Sequence, residues 1–250
     1  MTRGDVLVLR PQPGADETVA ALEEAGIAAR AMPVLDIEAM PDSPALRACV
    51  QDLDHHDAVI FVSPAAVRHG LRWIDRYWPQ YPLRVRWFAV GARTAAELAA
   101  HGIRALVPDG DERAEGLLAL RELQAGEVHR VLVVRGEGGR ALLAEELAAR
   151  GATVAFLEVY RRRPRAVALP PLAQVRALVV SSGEVLEACL ATGGAGLRTC
   201  PLVVPSERVA AGAREAGFTC VEVAAGAGPF ATIEALRRLG VGTGSTGAAQ

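Results

Sequence analysis

The chain has 250 residues, enough for one large domain or two of ordinary size, and 51% of them are apolar, so a sizeable core can form. A formal net charge of −2 argues against nucleic acid or an anionic membrane as the main partner. The four cysteines, Cys49, Cys189, Cys200 and Cys220, show no Cys-x-x-Cys or Cys/His ligand spacing, which sets aside the usual zinc and iron–sulfur patterns. The start, MTRGDVLVLRP, runs straight into a strand without an apolar leader, and no apolar stretch is long enough to span a bilayer. A soluble cytoplasmic protein is expected.

In chain order one pattern recurs: a short apolar strand, a turn, a helix that stops at glycine, then another strand. Asp5–Leu9 reads as the first strand, Asp16 as the cap of a helix carrying Val19 and Leu22, Gly26 as its stop, and Ile27–Met32 as the next strand. The helix–glycine–strand junction returns at Gly102, Gly151 and Gly217. Further strands are expected at Ala58–Val62, Val85–Val90, Val131–Val134, Ala177–Val180 and Leu202–Val204. The total is about ten strands alternating with helices, the signature of parallel α/β sheets covered on both faces. Two five-stranded sheets are easier to build than one of ten.

How the chain is shared between two sheets stays open at this level. A contiguous cut near Gly126 and an insertion of the middle of the chain give the same count. Pro33–Glu38 and Phe156–Tyr160 are long alternating segments that could pair as an antiparallel ladder, or could simply be long strands of one sheet. The tail, GVGTGSTGAAQ, has almost nothing to bury and is expected to be disordered over residues 241–250.

Two groups of residues could carry chemistry. Gly136-Glu-Gly-Gly-Arg-Ala141 follows a strand and opens a helix, as a dinucleotide fingerprint does, with Glu158 about the expected distance onward. This motif sits mid-chain rather than opening its domain, and its plainer reading is a tight turn. The second group is a set of hydroxyl residues following strands: Ser63, Thr94, Ser181, Ser182 and Ser206. Each can cap its helix. Together they would line the C-terminal edge of parallel strands, where open α/β sheets bind ligands and free backbone N–H groups receive carboxylate or phosphate. The histidines, His55, His56, His69, His101 and His129, have no metal-ligand spacing. A nucleotide-dependent oxidoreductase and a small-anion binding protein without catalysis therefore both remain open on the residues alone.

Seven short stretches, in order, resemble the uroporphyrinogen-III synthase family, bacterial type: Leu7-Val-Leu-Arg-Pro11, Phe61-Val-Ser-Pro64 with Ala66-Val67, Ala89-Val-Gly91 with Thr94-Ala95, Arg135-Gly-Glu-Gly-Gly-Arg140, Val159-Tyr-Arg-Arg162, Val179-Val-Ser-Ser-Gly183 and Val204-Pro-Ser-Glu-Arg208. The resemblance implies two flavodoxin-like parallel-sheet domains joined by a two-stranded antiparallel hinge. One would comprise residues 1–38 with 158–240, the other the inserted residues 39–157. It implies cyclisation of the linear tetrapyrrole hydroxymethylbilane, with loss of water and inversion of the last ring through a spiro intermediate. It also implies no cofactor and no metal; separately, no nucleic-acid or membrane partner is expected, and a monomer is. Tyr160 becomes the expected catalytic acid, since a phenol keeps its proton at neutral pH. Arg10, Ser63, Thr94, Arg135, Gly136, Ser181, Ser182 and Ser206 become the expected substrate-binding residues. Ala65 stands where the family often has a polar residue, so that position offers only its backbone amide.

Overall fold

The computed structural model describes residues 4–110, 114–139, 142–193 and 195–241. Its elements follow the expected alternation. The first stretch holds β1 (Asp5–Val8), α1 (Gly14–Glu24), β2 (Ala29–Ala31) and β3 (Leu35–Ala39). Then come α2 (Pro44–Gln51), β4 (Ala58–Phe61), α3 (Pro64–Tyr77), β5 (Arg86–Ala89) and α4 (Ala92–Ala100). The middle continues with α5 (Ala114–Leu118), β6 (Arg130–Gly136), α6 (Leu142–Ala149) and β7 (Thr153–Pro164). The last stretch is β8 (Val175–Val179), α7 (Gly183–Gly193), β9 (Leu202–Val204), α8 (Glu207–Glu215), β10 (Val221–Val223) and α9 (Pro229–Arg238). None of the described helices is long and apolar enough to cross a membrane.

The strands form two five-stranded sheets, β10-β9-β8-β1-β2 and β3-β7-β6-β4-β5. By its contacts the chain divides into two compact units, one from the segments up to Asp36 and from Arg163 onward, the other Ile37–Arg162.

In the first unit every strand pair is parallel. Residues along a strand alternate faces, and both faces are apolar. Leu7, Leu9, Leu178 and Val180 pack on one side with Val185, Leu186 and Val209. Val6, Val8, Ala177 and Val179 pack on the other with Leu22, Ile233 and Leu236.

The second unit repeats this logic with β4, β5, β6 and β7 parallel. Val59, Phe61, Leu132 and Val134 face one cluster, and Ala58, Ile60, Val131 and Val133 the other. Gly70 lets α3 lie close to this sheet, since a Cβ there would come within 2.7 Å of Val134 Cγ1. The remaining strand, β3, pairs with β7. Met40 N–H donates to Val159 O, and Arg165 N–H donates to Val34 O, so the numbering rises on one strand as it falls on the other and the pair is antiparallel.

The glycine stops have a common geometry. Gly151 and Gly217 take φ of +91° and +96°. The next residue turns its N–H back to the helix, Ala152 to Leu147 O and Phe218 to Ala213 O, as in a Schellman cap.

Several local readings differ. Asp16 does not cap α1, which begins at Gly14 with Asp16 already in its first turn. There its carboxylate meets the helix's positive end and accepts from Gln12 Nε2 at 2.8 Å. Among the described residues no strand follows Gly102 directly; Leu106 makes a single bridge to Phe88. β7 is longer than expected, because its far half pairs with β3. Val241, the first residue of the expected tail, is 4% exposed within the first unit's core, and the rest of that tail, residues 242–250, lies outside the described residues.

Candidate active site

In open parallel sheets, ligands bind beyond the C-terminal strand ends, where the strand order reverses. In the second unit that point lies between β4 and β6, because β5 and β7 lie on opposite sides of them. Ser63 follows β4 and is extended, with φ −166° and ψ 161°. Its Oγ accepts from Ala66 N–H at 3.1 Å and caps α3, with Pro64 at the first helical position.

Beside it, β6 ends at Gly136, which is paired with Tyr160 of β7. The phenol lies flat against this glycine: a Cβ on Gly136 would fall 2.5 Å from Tyr160 Cε2. Tyr160 is 1% exposed. Its hydroxyl lies 3.2 Å from Ser63 Oγ and accepts from Arg162 Nη2 at 3.0 Å, with the Arg162 guanidinium 5.2 Å from the ring centre. Tyr160 and Arg162 share a face because they are two apart on one strand.

The His69 ring, one helix turn and a half into α3, is 5.7 Å from the Tyr160 ring. Burial, with Arg72 and Arg68 close by, lowers its pKa, so it is neutral near pH 7. Its Nδ1 is buried without a hydrogen-bond partner among the described residues.

Arg135 is 7% exposed and engaged inward. Its Nε donates to Gly136 O at 3.2 Å and lies 3.8 Å from Glu158 Oε1, and its guanidinium covers the Phe156 ring at 4.7 Å. Thr94 does not cap α4. Gly91 occupies the cap position, and Thr94 is 4% exposed as the helix's third residue.

In the first unit the order reverses between β1 and β8. Arg10 follows β1, Ser181 and Ser182 follow β8, and Ser206 follows β9. Ser182 Oγ accepts from Val185 N–H at 3.3 Å at the start of α7. Ser206 occupies the cap position of α8 without using its side chain for the cap. Arg10 Nη1 donates to Ala227 O at 2.8 Å and Thr18 Oγ1 at 3.2 Å, tying the start of α1 to the loop after β10.

A family profile described as uroporphyrinogen-III synthase HemD matches residues 16–234. The uroporphyrinogen-III synthases of Salmonella typhimurium and Escherichia coli are each 34% identical, with 93% of this chain and 99% of theirs covered. The chain belongs to the uroporphyrinogen-III synthase family. Two solved structures share the fold. A mutant uroporphyrinogen III synthase of Thermus thermophilus gives a TM-score of 0.61 at 22% identity, covering 87% of this chain and 92% of that one. The Helicobacter pylori enzyme gives 0.60 at 14% identity, covering 94% and 99%.

Within this uroporphyrinogen-III synthase family member, the expected residues separate into groups. Ser63, Gly136 and Tyr160 are brought together in the second unit. Ser181, Ser182 and Ser206 follow neighbouring strands in the first. Arg10 and Arg135 make their hydrogen bonds within their own units, and Thr94 is buried in the second. The fingerprint's first glycine is occupied by the Tyr160 ring, and its last two residues, Arg140 and Ala141, lie outside the described residues. Sequence reasoning quoted Arg162 within the Val159-Tyr-Arg-Arg162 stretch but gave neither it nor His69 a part beside Tyr160. The two-residue spacing on an extended strand would have found Arg162. Nothing local signals His69, which reaches Tyr160 only through the packing of α3.

Proposed function

We infer that this chain is a uroporphyrinogen-III synthase. It cyclises hydroxymethylbilane to uroporphyrinogen III, losing water and inverting ring D through a spiro intermediate, with no cofactor. The observation that carries this reading is the Tyr160 hydroxyl, held by Arg162 and Ser63 at the ligand-binding edge of a family member. The substrate bears acetate and propionate carboxylates on every pyrrole. Taken unit by unit, the start of α3 with Ser63, and the starts of α7 and α8 with Ser181, Ser182 and Ser206, each offer backbone N–H groups and hydroxyls that suit carboxylates without making the protein strongly basic.

Departure of the terminal hydroxyl needs a proton, and Tyr160 is its source. The C–O bond breaks, the oxygen leaves as water, and the lone pair of the adjacent pyrrole nitrogen relieves the carbon. Attack by ring D at its substituted carbon gives the spiro intermediate, and its reopening and reclosure give the inverted ring. The Arg162 cation stabilises negative charge as it develops on the phenol oxygen.

We read the two units as flavodoxin-like domains, one built from the two ends of the chain and the other from its middle, Ile37–Arg162. In this reading β3 and β7 are the two-stranded hinge, and the enzyme works as a cytoplasmic monomer. The test is to incubate the purified protein with hydroxymethylbilane, oxidise the products and separate the isomers. Type-III uroporphyrin in proportion to enzyme is expected. The type-I isomer alone, which forms spontaneously, would sink the reading.

A further inference from the structure

Tyr160 is the acid of the reading above, yet its side chain is 1% exposed and packed against Gly136. Ser63, one hydrogen bond away, is only half-buried. Hydrogen-bond inventory fixes what this pair offers. Arg162 only donates, so the phenol oxygen accepts from it. Ser63 Oγ accepts from Ala66 N–H. The two hydroxyls hold two protons and use one between them, leaving one for an outside acceptor. A buried phenol with a dangling proton would bear the desolvation cost of an unmade bond, whereas a half-buried serine can turn its proton outward. The bond therefore runs from Tyr160 O–H to Ser63 Oγ.

We propose that Ser63 is the catalytic residue that touches the leaving hydroxyl and that Tyr160 supplies its proton through Ser63, with Arg162 as a positioning residue behind both. In one step the hydroxymethyl C–O bond breaks and its electron pair leaves with the oxygen. That oxygen takes the Ser63 proton and departs as water, and Ser63 Oγ takes the Tyr160 proton. Negative charge comes to rest on the Tyr160 oxygen beside Arg162. When the closed macrocycle sheds a ring-carbon proton, that proton returns to the phenolate through the same two oxygens.

The inference rests on the uroporphyrinogen-III synthase reading, and its test separates the two. Ser63→Gly removes the hydroxyl but keeps a good cap, so the fold is retained and thermal unfolding checks it. In single turnovers on hydroxymethylbilane, Ser63→Gly and Tyr160→Phe should each slow the chemical step about a hundredfold. The double variant should be no slower than either, because both remove one path. Arg162→Met should lower kcat with KM held, and Arg162→Lys should recover part of the loss. The wild-type rate plotted against deuterium fraction should bow, since two protons move together.

Losses that multiply in the double variant, near-normal Ser63→Gly, a straight deuterium plot, or an Arg162→Met effect confined to KM would each overturn the relay and leave the function standing. A wild-type chain that makes no type-III isomer would overturn both.

Discussion

The Tyr160 ring lies on the bare backbone of Gly136, with no room for a methyl group between them: a Cβ there would stand 2.5 Å from Cε2 and 2.6 Å from Cζ. Real Cβ atoms do not approach that closely, so one of the two residues must move when Gly136 is substituted. Gly136→Ala should push the phenol off Ser63 and Arg162. Turnover should fall tenfold or more, by about 1.4 kcal/mol of barrier per factor of ten, while overpacking lowers stability by about 1–3 kcal/mol. Steady-state kinetics with a denaturation curve reads both. Full turnover with lowered stability would mean that the ring's seat does not matter to the chemistry.

His69 gives a prediction on pH. Burial, helped by Arg72 and Arg68, lowers its pKa below the ordinary 6.5. Between those two values the unfolded chain binds a proton that the folded chain does not, so stability rises with pH there. The contribution is complete above about pH 6.5 and is lost as pH falls toward the folded value. His69→Phe should flatten that slope. It also removes a buried nitrogen without a partner, so the variant should be more stable by roughly 1 kcal/mol at pH 6. Urea midpoints at pH 5.5, 6.5 and 7.5 test this, and an unchanged slope would show that His69 is not the titrating group.

Arg10 holds Thr18 and the Ala227 carbonyl, which ties the first unit's switch point together. Arg10→Met should therefore lower stability by about 1–2 kcal/mol, the range for hydrogen bonds to a charged donor discounted for its partial exposure. A melting curve decides. Unchanged stability with a large rise in KM would make Arg10 a substrate ligand instead.

The two serine caps of the first unit should behave differently. Ser182 uses its hydroxyl on Val185 N–H, so Ser182→Ala should cost about 1 kcal/mol. Ser206 does not use its side chain for the cap, so Ser206→Ala should change stability by less than about 0.5 kcal/mol. Each should raise KM only a few-fold, because in the proposed binding mode backbone amides share the substrate's charge with the hydroxyls. A thousandfold loss of activity from either would contradict that sharing.

Much of this was legible in the residues. The strands were readable because Val131–Val134 and Ala58–Phe61 are short, β-branched and buried on both faces, and the helix ends because Gly151 and Gly217 sit where only a left-handed residue closes the cap. The hydroxyls after β4, β8 and β9 were legible for the same reason: strand ends set their place. What was not legible depends on partners distant in sequence. Arg10 finds an acceptor at Ala227, and Arg135 an aromatic face at Phe156, and no local pattern states either. Thr94 failed as a helix cap on a backbone matter, since Gly91 already provides the extended cap residue. The glycine-rich turn read equally well as a nucleotide motif, because only the neighbouring strand reveals that Gly136 seats a ring.

In the proposed mechanism the acid step runs through the Tyr160 hydroxyl. Its most direct test is the ratio of type-III to type-I uroporphyrin formed from hydroxymethylbilane by Tyr160→Phe, across a range of enzyme concentrations. Spontaneous closure supplies the type-I isomer at a fixed rate, so the ratio reports how fast the enzyme competes. A fall in enzymatic rate of about a hundredfold is expected, with type-I product dominating at concentrations where the wild type gives type III, and an unchanged melting curve. A ratio and rate equal to the wild type's would contradict it.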